Sequence, residues 1–366
     1  MKKFDGDATI VTIAGNRPEV IKLSELVKLL NYYNNGKHVF LYTGQHYSHN
    51  MKEIFLDELG IQPDYDLKTN TSDVNTLKIE IAKFLSIARP QYVIVYGDTN
   101  STLAAALAAK NMENCKLIHV EAGLRSFDMR MQEERNRIEV DRLSDYLFAP
   151  TELAQTFLKY ENIKENVYVT GNLIVDVCRK YSLCSRANED QERLPDKFLL
   201  LTLHRAENVD HPDTLRALTN HLSELRYNII YPIHPRTRNN LIKYNIRLPD
   251  NVIVIEPVAY LEFLGLLKRC MLVLTDSGGV QEEALILGKQ CITLRNSTER
   301  WETLLLRANR LFPLYENDEN SSLSDFVEEA LDTRIIAHNP YGENVTTNML
   351  KLVSHLTDRN LGLIRT

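Results

Sequence analysis

Short runs of Val, Ile and Leu recur along the chain, each a few residues long and most closed by a polar residue or glycine. The first half contains ATIVTIAG, HVFLYTG, YVIVYGD, LIHVEAG, YLFAP and VYVTG; the second contains FLLLTLH, NIIYPIH, VIVIEP, MLVLTD and CITLR. Runs that stay apolar instead of alternating predict strands buried on both faces, and the helix-like stretches between them predict parallel α/β units. From about Asp176 to Asp196 the sequence DVCRKYSLCSRANEDQERLPD is charged and loses its period, which predicts a linker between two domains. Helical segments around Asp325 to Leu331 and Asn348 to Leu356 close the pattern.

Length agrees with two domains, since 366 residues with 44% hydrophobic and 25% charged positions exceed one compact core. No run approaches the ~18 apolar residues of a spanning helix, and MKKFDGDATIVTIAG lacks the long apolar region of a signal peptide. The expectation is a cytoplasmic protein with no membrane partner. Five cysteines, Cys115, Cys178, Cys184, Cys270 and Cys291, include no pair at metal-ribbon or redox spacing, and read as reduced thiols. A formal net charge of −6 argues against a nucleic-acid partner, while leaving room for a local basic pocket for a phosphorylated metabolite.

Candidate chemistry collects at the carboxyl ends of the predicted strands, the edge where open α/β sheets bind ligands. In LTDSGGVQEEA a strand passes through Ser277-Gly278-Gly279 into a helix. Glycines allow close approach of an anion, and a helix start favours phosphate, so this turn is read as a diphosphate site. An ordinary helix-capping turn is the competing reading. Of Glu282 and Glu283, one is expected to accept ribose hydroxyls. Arg17 and Lys22 in AGNRPEVIK, about a turn and a half apart on a helix, supply cations at the first strand's end. Asp98, Glu121 and Glu133 form a set of acids whose protonation can be pushed apart by burial and mutual repulsion. Hydrogen-bonded scaffolding is the alternative, with Asp98 a possible helix cap. His204 and His234 each end a strand and His119 precedes Glu121, but none has the i, i+4 partner of a zinc helix, so no metal is expected and His204 is read as a proton carrier or phosphate donor.

Taken in order, GNRPEVIKLSEL, YTGQHYSHNM, VYGDTNSTLAAALAA, HVEAGLRSFDMRMQEERNR, LFAPTE, VTGNLIVD, LTLHRAENVD, IHPRTR, LTDSGGVQEEA and TLRNSTER resemble the non-hydrolysing UDP-N-acetylglucosamine 2-epimerases over nearly the full chain. The resemblance implies two Rossmann-like domains facing a cleft, a fold of the glycosyltransferase-B type. The domains fall at 1–178 and 197–346 with a linker at 179–196, and a helix at 347–366 returns to the first domain. It implies a homodimer, no cofactor, and elimination of UDP to 2-acetamidoglucal followed by re-addition with inversion at C2. Asp98, Glu121, Glu133, His204 and Lys22 carry over as the catalytic set; Arg17, Arg137, Ser277, Gly278, Gly279 and Glu283 carry over to UDP. Gln45, His46, Arg205 and His234 match part of a second, activating UDP-N-acetylglucosamine site, although TNTSDVNTLK does not supply the further arginine expected there.

The chain departs from the family with Asn16 where Thr is usual, Gln132 and Trp301 where Pro is usual, and Arg307 where glycine is common. Trp301 and Arg307 are expected to alter the sugar pocket. Relatives acting on UDP-2,3-diacetamido-2,3-dideoxyglucuronic acid, glycosyltransferases of the same fold and hydrolysing epimerases are the alternative readings.

Overall fold

The structure, a computed structural model, describes residues 9–33, 37–44, 55–184, 194–314, 322–336 and 338–357. The chain divides into two compact units, 1–177 with 340–366, and 178–339. In the first unit the apolar runs become β1 (Ile10–Ala14), β2 (His38–Tyr42), β4 (Tyr92–Tyr96), β5 (Lys116–Val120), β6 (Tyr146–Ala149) and β7 (Val167–Val169), joined by β3 (Tyr65–Asp66). All pairs are parallel, in the order β3-β2-β1-β4-β5-β6-β7. The second unit holds β8 (Phe198–Thr202), β9 (Asn228–Pro232), β10 (Val252–Ile255), β11 (Leu272–Thr275), β12 (Gln290–Thr293) and β13 (Asn309–Leu311), parallel in the order β10-β9-β8-β11-β12-β13.

Burial explains the unbroken apolar runs. Every residue of β1, β2, β11 and β12 is buried, as expected of strands covered by helices on both faces. The helix Asn100–Lys110 buries Ala104, Ala105, Ala106, Ala108 and Ala109, small residues that let it lie close to its neighbours. In each sheet the strand order reverses once, between β1 and β4 and between β8 and β11. Crevices at such reversals are where this architecture binds ligands.

Three elements depart from the expectation. β3 and β13 are two and three residues long and lie at sheet edges, too short to leave a hydrophobic run. The helix Ile174–Cys184 continues through residues 179–184, where the linker was expected to begin. Val175, Cys178, Tyr181 and Ser182 give it a buried face that the intervening Arg179 and Lys180 hide in the sequence. The chain rejoins the first unit at Pro340, ahead of the expected residue 347.

Within the first unit the helix Val345–Leu356 packs on the helix Arg17–Tyr33. The Tyr92 hydroxyl donates to the Leu356 carbonyl at 2.9 Å, and the Thr346 amide donates to Asp176 Oδ2 at 2.7 Å. Gly171 has φ +84°, and a Cβ there would come within 2.5 Å of the Tyr341 carbonyl oxygen, so the junction requires glycine. No described helix is long and apolar enough to cross a membrane.

Candidate functional site

At the carboxyl end of β1 the chain turns through Gly15 and Asn16 into the helix Arg17–Tyr33. Asn16 Oδ1 accepts from the Glu19 amide at 3.0 Å, and Glu19 Oε2 accepts from the amides of Gly15 at 2.5 Å and Asn16 at 3.4 Å. This is a reciprocal cap in which Asn serves as well as Thr, so the departure at Asn16 leaves the turn intact. A Cβ on Gly15 would overlap the Ser101 side chain, which seals the turn against the helix following β4. Glu19 is buried, and burial pushes its carboxyl up to about 7, opposed by its hydrogen bonds with Thr99, Gly15 and Thr102.

The acids of the first unit surround the same reversal. Glu121, directly after β5, is 5% exposed and has φ +70°, a left-handed conformation uncommon for a side chain of this size. Its Oε2 accepts from Lys22 Nζ at 2.7 Å and from the Tyr96 hydroxyl at 2.6 Å. Lys22, expected as a cation at this strand end and beside the catalytic acids, thus holds the Glu121 carboxylate, and its ammonium lies 5.4 Å from the Tyr96 ring centre. Asp98 is ion-paired with Arg137, which also pairs with Glu134. Arg137, read from the resemblance as a UDP ligand, is 1% exposed and engages these two acids. Glu133, in the first turn of the helix Gln132–Leu143, is half-buried.

Beneath them lies a network that the motifs alone did not reveal. Buried His119 approaches Asp141 Oδ1 with Nδ1 at 2.7 Å and the Gly97 carbonyl with Nε2 at 2.8 Å. Asp141, held below the usual carboxylate range against its own burial by His119 and Arg125, also accepts from the Gly123 amide at 3.1 Å. Gly97, at φ +69°, immediately precedes Asp98, so this network fixes the turn that aims Asp98.

In the second unit, Ser277, Gly278 and Gly279 sit where β11 gives way to the helix Gly278–Ile286. Ser277 stands at the cap position of this helix but makes no side-chain capping bond. The two glycines differ: a Cβ on Gly278 would overlap Glu299, whereas one on Gly279 would meet nothing within 4 Å. A side chain at 278 would have to displace the Glu299 carboxylate, and the open space at 279 suits a ligand lying against the backbone. Glu282 is fully buried and 2.7 Å from Arg300 Nε, while Glu283 accepts from the Tyr260 hydroxyl at 2.9 Å.

His204 follows β8, His234 follows β9, and their ring centres are 6.0 Å apart. Asp276, which the sequence marks only as a polar residue at the end of its strand, contacts His204, Arg205 and Asn208. Arg205 begins the short helix Ala206–Val209, and Arg17 is the half-buried first residue of its helix. Gln45 and His46 lie outside the described residues. Among the described residues no group of three or more His, Cys, Asp or Glu side chains is placed to hold a metal. Arg307 lies before β13, at the amino edge of its sheet, so it does not belong to the ligand-binding edge where a change of sugar pocket was expected.

The family model described as UDP-N-acetylglucosamine 2-epimerase matches residues 29–352. A UDP-N-acetylglucosamine 2-epimerase of Methanocaldococcus jannaschii is 44% identical over 350 residues, covering 90% of this chain and 94% of that one. A UDP-2,3-diacetamido-2,3-dideoxy-D-glucuronate 2-epimerase of Pseudomonas aeruginosa is 43% identical over 313 residues, covering 82% and 87%. Among solved structures, the Methanocaldococcus jannaschii UDP-GlcNAc 2-epimerase in complex with UDP-GlcNAc and UDP superposes with a TM-score of 0.88 at 40% identity, covering 95% of this chain and 99% of that one.

Proposed function

Because the chain belongs to the UDP-N-acetylglucosamine 2-epimerase family, whose members are isomerases, we propose that it interconverts UDP-N-acetylglucosamine and UDP-N-acetylmannosamine. The hydrogen on C2 of an N-acetyl sugar is not acidic, so direct deprotonation is closed. In the proposed route the C1–O bond breaks with its electron pair leaving on UDP, the C2 proton passes to a carboxylate, and 2-acetamidoglucal forms. UDP then returns to C1 while a proton is delivered to the opposite face of C2. Acid–base groups and a bound leaving group suffice for this balance, without a redox cofactor.

The observation that carries the reading is the acid site at the β1–β4 reversal. Glu121 is held in left-handed backbone between Lys22 and the Tyr96 hydroxyl, and Asp98 is paired with Arg137 at the next strand end. Binding alone gives no reason to bury so many acids; proton transfer does. In the proposal Asp98, Glu121 and Glu133 serve the proton steps with Lys22, and His204 assists at the leaving group. Arg17, Glu283 and the Ser277–Gly279 turn hold UDP. The same reading makes the protein a cytoplasmic homodimer serving polysaccharide synthesis.

The test is proton NMR in deuterated water with UDP-N-acetylglucosamine. Deuterium at C2 together with UDP-N-acetylmannosamine is expected. Free N-acetylmannosamine and UDP as main products would establish a hydrolysing enzyme instead. The Pseudomonas aeruginosa relative supports a second reading, in which the substrate is UDP-2,3-diacetamido-2,3-dideoxyglucuronic acid. Exchange with that sugar and none with UDP-N-acetylglucosamine would select it.

A further inference from the structure

Asp276 and His204 meet across the reversal of the second sheet, one after β11 and the other after β8. The Asp276 side chain is fully buried, yet donors surround it. Its Oδ2 accepts from the amides of His204 at 3.1 Å and Arg205 at 2.9 Å and from Asn208 Nδ2 at 3.2 Å, while Oδ1 lies 3.1 Å from His204 Nδ1. Asn208 Nδ2 also donates to the Leu294 carbonyl at 3.0 Å, so the carboxylate is braced from a third strand end. These donors and the neighbouring His204 and Arg205 charges hold Asp276 well below the usual carboxylate range, overcoming the opposing effect of burial. An ionised carboxylate only accepts, so Nδ1 of His204 must carry the hydrogen between them. The His204 side chain is otherwise 46% exposed, and the nitrogen left to a ligand is Nε2.

We propose that Asp276 is the positioning residue for His204: it fixes the ring in the Nδ1–H tautomer and leaves Nε2 as an acceptor on the sheet edge that carries the Ser277–Gly279 turn. The inference rests on His204 acting in the proposed reaction. In such an arrangement the acid orients the imidazole and stabilises its protonated form without itself taking the proton. His234 supplies an internal contrast. Its Nδ1 accepts from the Arg236 amide at 3.2 Å, which requires hydrogen on Nε2, and partial burial with the His204 and Arg236 charges holds its imidazole below the ordinary range. The two neighbouring rings therefore carry opposite tautomers.

The first test needs no altered Asp276. Two-bond proton–nitrogen correlation spectra of the full chain labelled with 15N-histidine, taken where the rings are neutral and assigned with His204→Gln and His234→Gln, should show Nδ1–H for His204 and Nε2–H for His234. An Nε2–H ring at His204 would overturn the proposal. In the second test, Asp276→Asn should lower kcat about 10²-fold or more, leave KM and the Kd for UDP within about threefold, and release the His204 ring to Nε2–H. Unchanged turnover in Asp276→Asn alongside a large loss in His204→Gln would overturn the positioning role alone. Full turnover in His204→Gln would overturn the reading of His204 on which it depends.

Discussion

Glu19 shows how much a single buried group can set. Its Oε1 is 3.0 Å from the Thr102 hydroxyl, which also lies 2.7 Å from the Tyr96 carbonyl oxygen. One hydroxyl hydrogen cannot serve both acceptors. A protonated Glu19 resolves the conflict, donating to Thr102 while Oε2 keeps the Gly15 amide, and this agrees with a carboxyl pushed up from 4.5 to about 7 by burial. Below pH 4.5 the group is neutral in both folded and unfolded chains. Between there and pH 7 only the unfolded chain ionises, so stability falls across that window by about 3 kcal/mol and stays lower above it. Glu19→Gln, whose amide can donate to Thr102 in the same way, should remove this slope. Its urea midpoint relative to the parent is expected to rise from pH 5.5 to pH 8; a constant difference would refute the protonated state. None of this was legible in GNRPEV, because the sealing of Glu19 depends on Gly15 meeting Ser101 from another strand end. Asp98 and Glu121 were legible, since each follows directly on a buried apolar run. Tyr96 was not, because in YVIVYGD it reads as one more strand residue.

Among the elements, the helix Trp301–Leu305 shows why one departure from the family pattern is structural. It ends with the Arg307 amide donating to the Leu304 carbonyl at 2.9 Å and the Ala308 amide to the Thr303 carbonyl at 3.0 Å, the paired bonds of a Schellman motif. Arg307 occupies the left-handed position at φ +55°, where a Cβ is costly and glycine is favoured. Its side chain is exposed, so little packing offsets that strain. Arg307→Gly should stabilise the second unit by about 1 kcal/mol, read as a raised denaturant midpoint with unchanged turnover; a lowered midpoint would show that the guanidinium makes a contribution of its own. The family's glycine was visible in the sequence comparison as a residue type, but its reason was not, because a helix of five residues leaves no periodic signal. The same limit hid β3 and β13, while the long buried strands were plain.

Connectivity gives the whole molecule an order of assembly. The second unit is one continuous stretch, 178–339, and can close as soon as that stretch exists, whereas the first needs both 1–177 and 340–366. The returning segment brings Tyr341, Val345, Met349, Leu350 and Val353, each at most 1% exposed. Burying five such side chains at ~1.5–3 kcal/mol apiece contributes roughly 10 kcal/mol, comparable to the entire stability of an ordinary domain. The sequence marked a helical segment around Asn348 to Leu356 and the resemblance implied only that it returns to the first domain; that it packs on the helix Arg17–Tyr33 is a finding of the structure. A chain ending at Asn339 should therefore lose the first unit and keep the second. Hydrogen exchange read by mass spectrometry is expected to show β1, β4 and β5 unprotected in the truncated protein, β8, β11 and β12 protected, and UDP still slowing exchange around Ser277–Gly279. Full protection of β1 and β4 without residues 340–366 would mean that the first sheet stands without its returning helix, and that the order of assembly follows synthesis from the amino terminus.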